Sequence, residues 1–165
     1  MSWNIKSILK EIVIGVMLLF IASNAISYIR KPILDTTQLP QMKIKLLDGT
    51  TYISKKGKPL VIHFWTSWCP TCKIEANNIE SISKQYDVLS VSVNSGSNAS
   101  VKEYMKKRGL TFKVLNDTDG KMANRFHIKA YPTTLIYDAN GELKFTEVGY
   151  TSTIGLLARL KLCEK

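Results

Sequence analysis

The sequence has few side chains of the kinds that usually hold metal ions, with three cysteines and two histidines in 165 residues. A closed zinc site needs four ligands. Beyond the closely spaced Cys69 and Cys72, the chain offers only Cys163, His63 and His127, and none of these three lies at ligand spacing from another. The composition therefore argues against a zinc site, and we predict no bound metal and no cofactor.

Charge is also missing from one long stretch, because no charged residue lies between Ile12 and Ile29. Residues 12–22 are almost wholly apolar, and the uncharged stretch is close to the roughly 20 residues that a bilayer-spanning helix needs. The pattern predicts a single N-terminal membrane anchor. The basic residues on its two sides are nearly balanced, so the positive-inside rule favours a cytoplasmic N-terminus only weakly.

A cleaved secretory signal is the alternative to an anchor. Ser23-Asn24-Ala25 resembles a small-x-small cleavage site, although the apolar register continues through Ile26 and Ile29. Both interpretations place the rest of the chain outside the cytoplasm. We predict the following organisation: an anchor at 1–31, a polar tether at 32–40 and one folded domain at 41–165.

The chain is basic, with a net charge of +10. The excess is scattered, and its densest run, Lys106-Lys107-Arg108, follows Lys102 and Glu103 on a predicted surface helix. This pattern is typical of a solvated helix face, and no nucleic-acid-binding motif is present. A basic surface also suits an anionic membrane or an acidic partner protein.

The pentapeptide Trp68-Cys69-Pro70-Thr71-Cys72 is the most informative motif, because two thiols separated by two residues can close and reopen a disulfide. It follows the apolar strand predicted at 60–65 and opens a helix predicted at 72–82. Backbone N–H groups and the helix dipole then favour a thiolate on the first cysteine. We therefore predict an exposed, nucleophilic Cys69, and a more buried Cys72 that resolves the mixed disulfide.

The remaining pattern alternates strands with helices and predicts a layered α/β domain. Ile74, Ile79 and Ile82 lie near helical spacing in the thiol helix, and Ile154, Leu157 and Leu160 fall on one face of the last helix. The other predicted elements are a hairpin at 42–46 and 50–53, strands at 88–93, 112–115, 133–137 and 143–148, and helices at 101–108, 121–127 and 153–163.

Two segments carry a family resemblance. Residues 64–73 resemble the active-site segment of thioredoxin-like proteins, and Tyr131-Pro132-Thr133-Thr134 resembles their downstream cis-proline loop. The insert at 101–115, the anchor and Glu75 are similar to the membrane-tethered TlpA/ResA/CcmG group. Within that group, the ending from Gly149 looks most like the ScsD branch. The resemblance implies a thioredoxin-like fold, with a mixed central sheet flanked by helices, an N-terminal hairpin and a helix-strand insert.

The resemblance also implies roles for residues around the thiols. A cis Tyr131–Pro132 bond would offer the Tyr131 backbone to an extended segment of the substrate protein. Pro70 and Thr71 are expected to tune the redox potential, and Trp68 to shape the groove that receives the partner. Trp65 is expected to pack beneath the site and limit the access of water.

The roles of Glu75 and His63 each have two interpretations. In the tethered group, a glutamate at the position of Glu75 assists proton transfer at the buried cysteine; the alternative is a surface helix carboxylate. His63 stands where thioredoxin carries a buried acid, so it either relays protons to Cys72 or is a core histidine bonded to a backbone carbonyl. We expect His127 at the surface and Cys163 to be a structural or incidental thiol.

Together these features predict a membrane-anchored thiol-disulfide oxidoreductase in the cell inner membrane, with its catalytic domain facing the periplasm or another extracytoplasmic space. Expected partners are exported protein thiols or disulfides, and a membrane protein that donates or accepts electrons. Two alternatives remain, a thiol reductant for cytochrome c maturation and a thioredoxin-like copper metallochaperone that binds Cu(I) through Cys69 and Cys72.

Overall fold

The computed structural model describes residues 5–34 and 37–164. Positions 35–36 of the predicted tether and the outermost residues of the predicted anchor and domain lie outside the described residues. The chain divides into two compact units between Arg30 and Lys31. The first contains one helix, α1 (Ile5–Ile29), in which Ser7–Ile26 is long and apolar enough to cross a membrane.

The second unit contains two sheets and four helices within its described residues. A short antiparallel hairpin pairs β1 (Lys43–Lys45) with β2 (Thr51–Ile53). The central sheet has the order β5-β4-β3-β6-β7, in which β3 runs parallel to β4 and antiparallel to β6. Its strands are β3 (Leu60–Trp65), β4 (Asp87–Val93), β5 (Lys113–Asp117), β6 (Thr133–Tyr137) and β7 (Leu143–Val148), and the helices are α2 (Pro70–Ser83), α3 (Asn98–Lys107), α4 (Lys121–Arg125) and α5 (Thr153–Leu162).

The central strand β3 is buried along its whole length and separates two cores. Successive side chains of a strand point to opposite faces. Val61 and Trp65 accordingly pack with residues of α2, α3 and α5, while Ile62 and Phe64 pack with residues of α4 and the hairpin. Both cysteines of the motif belong to the core that contains Trp65, so the thiols lie where β3 ends and α2 begins.

Helical spacing and burial differ at one apolar position in each of two helices. Ile74 on α2 is 67% exposed, whereas Ile79 is fully buried. On α5, Leu156 and Leu160 are buried and Ile154 is exposed, so the buried face is rotated relative to the face formed by Ile154, Leu157 and Leu160. Spacing alone does not show which face of a helix is buried, and single apolar side chains are common on protein surfaces.

Candidate active site

The two thiols occupy the start of α2, where the helix geometry brings their sulfur atoms together. Cys69 is the N-cap residue, Pro70 is at the first helical position, and the Cys72 N–H donates a hydrogen bond to the Cys69 Sγ at 3.4 Å. Proline suits this position because its missing N–H would have had no partner within the helix. Both cysteines are free thiols.

Cys69 is less exposed than the sequence suggested. Its exposed fraction is 8%, against 2% for Cys72, so the predicted order of exposure is right but Cys69 is itself largely buried. The reason is the loop that precedes β6: the Tyr131 carbonyl lies 3.6 Å from the Cys69 Sγ and accepts its S–H. A partner protein must therefore approach Cys69 past Tyr131.

The surroundings of Cys72 disfavour its thiolate. Burial raises the pKa of the Cys72 thiol well above its usual range, and the neighbouring Cys69 and the charge of Glu75 raise it further. A hydrogen bond with the backbone of Thr66 acts in the opposite direction. Cys72 is thus a protonated thiol at neutral pH, and it needs help to act as a nucleophile.

The loop before β6 forms the rim of the site with Trp68. The Tyr131–Pro132 peptide bond is cis. The rings of Trp68 and Tyr131 meet edge to face with centroids 6.3 Å apart, and the Trp68 indole N–H donates to the Asn94 carbonyl at 3.3 Å. Because Trp68 is 62% exposed, it presents an aromatic surface to any protein that reaches Cys69. Pro70 is also exposed at this rim.

Glu75 is buried, so its interpretation as a surface carboxylate is wrong. The side chain has no exposed area, because its place one turn after Cys72 turns it towards the segment between β7 and α5. Oε1 accepts the Thr151 N–H at 2.8 Å, while Oε2 has no hydrogen-bond partner among the described residues. Burial raises the pKa of Glu75 to about 8, and the charge of Glu147 adds to the rise.

His63 is buried on the face of β3 that carries Trp65, and it is neutral. Burial alone lowers its pKa to about 3. Its Nδ1 is hydrogen-bonded to the hydroxyl of Thr134, which lies directly opposite on β6, at 2.9 Å. The predicted backbone-carbonyl partner is thus replaced by a side-chain hydroxyl. The core interpretation of His63 fits this environment, because burial is the only influence on its pKa.

Sequence reasoning missed two residues near the thiols, Tyr104 and Thr151. Tyr104 of α3 stacks on Trp65, and Thr151 donates the N–H that Glu75 accepts. Both are far from Cys72 in the chain, and no local spacing connects them with it. By contrast, His127 is exposed, and Cys163 is buried at the end of α5, where burial raises its pKa.

In the part of the chain that the structure describes, no group of three or more His, Cys, Asp and Glu side chains is placed to hold a metal ion. The two free thiols at the start of α2 are groups that can carry out thiol-disulfide exchange. Thiol-disulfide exchange needs only a thiolate, an accessible partner disulfide and a second thiol within reach.

Comparisons with known proteins give a consistent result. Residues 35–158 match the Redoxin family. The chain is 29% identical over 165 residues to a thioredoxin-like protein of Haemophilus influenzae, covering 98% of each. It is 36% identical over 114 residues to the sporulation thiol-disulfide oxidoreductase A of Bacillus subtilis, covering 64% of this chain and 69% of the relative. A thiol:disulfide interchange protein of Chlorobium tepidum shares the fold, with a TM-score of 0.70 at 24% identity over 79% of this chain and 98% of the other.

Proposed function

The chain belongs to the Redoxin family and is a thiol-disulfide oxidoreductase related to the TlpA/ResA/CcmG group, and we propose that it works through Cys69 and Cys72 on exported proteins. The observation that carries this proposal is the pairing of the two free thiols at the start of α2 beside the Tyr131–Pro132 loop.

In the proposed reaction, the Cys69 thiolate attacks a disulfide of the partner. A new bond forms between the Cys69 Sγ and one partner sulfur, and the other partner sulfur leaves with the electron pair. Cys72 then attacks the Cys69 Sγ, which closes the Cys69–Cys72 disulfide and releases the second partner sulfur as a thiolate. The partner gains two electrons and the protein loses two, and the reverse sequence oxidises a partner dithiol.

The substrate segment is proposed to bind between Trp68 and the Tyr131–Pro132 loop. Trp68 supplies the exposed aromatic surface, and the Tyr131 carbonyl already lies beside the Cys69 sulfur. An extended segment of the partner would add backbone hydrogen bonds there, as a strand does at a sheet edge. Pro70 and Thr71, which stand between the two cysteines, are proposed to contact the same segment and to tune the redox potential.

Glu75 is proposed as the proton acceptor for Cys72. Its charge acts on the Cys72 thiol, and its pKa of about 8 lies near the working pH, where a carboxylate can take up and return a proton. His63 is proposed to support the floor of the site from β3, since its ring is buried, neutral and hydrogen-bonded to Thr134 on the neighbouring strand.

The N-terminal helix is proposed to anchor the protein in the cell inner membrane as a single span, with residues 41–165 on the extracytoplasmic side. Helix α1 contains the apolar segment Ser7–Ile26, and the relatives include a protein named as a soluble secreted antigen. A thiol pair that cycles against exported proteins also needs a source or sink of electrons, for which a membrane redox protein is the proposed partner.

Trapping of the mixed disulfides between this protein and its partners tests the proposed function. Cys72→Ala removes the resolving thiol, so mixed disulfides should accumulate on Cys69 in cells, and mass spectrometry of the adducts would name the clients. Exported proteins with several cysteines support the general proposal, whereas apocytochromes c alone would support the specialised reductant. The matched control is Cys69→Ala, which keeps Cys72 but should trap nothing. Equal trapping by both variants would contradict the assigned order of attack.

A further inference from the structure

Tyr104, on the insert helix α3, packs directly against the core of the redox site. Its ring stacks on Trp65 with centroids 5.2 Å apart and an interplanar angle of 29°. Trp65 belongs to the same buried cluster as Cys69 and Cys72, and its own indole N–H donates to the Ser90 hydroxyl on β4. Tyr104 is therefore packed against the buried cluster that contains the thiol pair.

Arg108 fixes α3 against the first turns of α2. Its guanidinium lies over the Tyr104 ring at 5.5 Å from the centroid, and it also donates to the carbonyl of Lys73, the residue that follows Cys72. A cation over an aromatic face and a charge-assisted hydrogen bond both restrict the movement of the ring. The insert thus presents Tyr104 to the start of α2.

The hydroxyl of Tyr104 is buried, and it has no hydrogen-bond partner in residues 5–34 and 37–164. A buried hydroxyl that bonds to nothing is unfavourable, so its presence calls for an explanation. Burial is the largest influence on the pKa of Tyr104 and raises it; the Arg108 guanidinium lowers it, and negative charge on Cys72 or Cys69 raises it, so the group stays protonated and is sensitive to charge on the two sulfurs. The hydroxyl is therefore a hydrogen-bond donor without an acceptor among the described residues.

We propose that the Tyr104 hydroxyl donates a hydrogen bond to the Cys72 sulfur when that sulfur becomes anionic during resolution of the mixed disulfide. This inference rests on the proposed function. A neutral thiol is a poor acceptor, which explains why the hydroxyl is unpartnered beside reduced thiols, whereas a thiolate is a strong one. Hydrogen bonds of this kind commonly tighten only as the charge develops.

With Tyr104 in this role, protons and electrons still balance in the resolution of the mixed disulfide. The Cys72 proton goes to the general base, the Cys72 thiolate attacks the Cys69 Sγ, and the partner sulfur leaves with the electron pair. Tyr104 keeps its proton throughout and lowers only the energy of the negative sulfur. Cys72 is the proposed acceptor, rather than Cys69, because during resolution the Cys69 Sγ is bonded to the partner sulfur and uncharged, and because burial disfavours the Cys72 thiolate.

The test uses the reduced full-length protein in nonionic detergent micelles, mixed in a stopped-flow instrument with the aromatic disulfide 5,5′-dithiobis(2-nitrobenzoate). Attack by Cys69 releases one thionitrobenzoate, and resolution by Cys72 releases the second, so the two steps appear as separate absorbance phases. Tyr104→Phe keeps the ring stacked on Trp65 and removes only the hydroxyl. We expect it to slow the second phase at least about tenfold and to leave the first unchanged, because a hydrogen bond to a charged group is lost.

Tyr86→Phe is the matched control. The Tyr86 hydroxyl is bonded to Glu164 at 2.8 Å at the exposed surface, so its loss should change neither phase. A second phase of wild-type rate in Tyr104→Phe would overturn the inference, as would equal slowing of both phases, which indicates a structural effect. If the wild-type protein releases no second thionitrobenzoate, the proposed function itself fails, and the inference fails with it.

Discussion

Two buried groups, Glu75 and His63, should give the stability of this protein an unusual dependence on pH. Burial raises the pKa of Glu75 from 4.5 to about 8 in the folded state and lowers that of His63 from 6.5 to about 3. Between pH 4.5 and 8, the folded protein keeps a proton on Glu75 that the unfolded chain releases, so stability falls as pH rises. Between pH 3 and 6.5, the unfolded chain binds a proton on His63 that the folded protein refuses, so stability rises with pH.

The effects of Glu75 and His63 on stability oppose each other between pH 4.5 and 6.5, and only one of the two groups acts outside this range. One pH unit corresponds to about 1.36 kcal/mol for a single group. Glu75 alone should therefore lower the free energy of unfolding by about 2 kcal/mol between pH 6.5 and 8. Between pH 4.5 and 6.5 the two slopes cancel. The other described carboxyl groups with shifted pKa values are all lowered, so they titrate below this range.

Glu75→Gln separates the two contributions. The amide keeps an oxygen that can accept the Thr151 N–H, but it does not titrate. The variant should lose the decline between pH 6.5 and 8, and it should gain about 3 kcal/mol between pH 4.5 and 6.5, where His63 is no longer opposed. Urea unfolding of the reduced protein at a series of pH values measures both slopes. If wild type and Glu75→Gln have parallel profiles, Glu75 is not the buried, neutral acid described here.

Two further predictions concern the reaction and the core. The rate of the second thionitrobenzoate release should increase as the pH rises through about 8, because only ionised Glu75 can accept the Cys72 proton. The Glu75→Gln variant should lose this increase. A pH profile that the substitution leaves unchanged would exclude Glu75 as the base. Ile79→Ala should lower the free energy of unfolding in urea by about 2–5 kcal/mol, whereas Ile74→Ala on the same helix should change it by less than about 0.5 kcal/mol; similar losses would contradict the burial of these two residues.

Elements with strong local patterns could be predicted from the sequence. The strands β3, β6 and β7 have the predicted bounds. Apolar, aromatic or β-branched residues dominate β3 and β6, and β7, which also contains Lys144 and Glu147, follows the turn signal Asn140-Gly141. Helix starts were less predictable. Helix α3 begins at Asn98 instead of residue 101, since Ser97 caps it by accepting the Ser100 N–H at 3.2 Å, and its polar first turn carries no hydrophobic periodicity.

The residues of the candidate site also fall into two groups, those that a short motif reveals and those that only long-range contacts bring to the site. Cys69, Cys72 and the Tyr131–Pro132 loop could be located because each belongs to a short motif. The burial of Glu75 could not be deduced, because it depends on a contact with Thr151, which lies 76 positions further along the chain. Tyr104 was overlooked for the same reason, since its relation to Cys72 exists only after α3 has packed beside α2. Long-range packing, rather than local propensity, decides which polar groups meet the thiols.

The interior beneath the thiols is nearly free of charge at neutral pH. His63 is neutral, Glu75 is protonated below about pH 8, and Cys72 is a thiol, and in each case burial is the largest cause. A negative charge on the Cys72 sulfur therefore has few groups to stabilise it, whereas the Cys69 sulfur lies at the N-cap of α2 and accepts the Cys72 N–H. A docked partner would exclude water and make the Cys72 thiolate still less favourable. In the proposed cycle, the interior consequently governs resolution more than attack, and a buried donor such as Tyr104 has its largest effect on that second step.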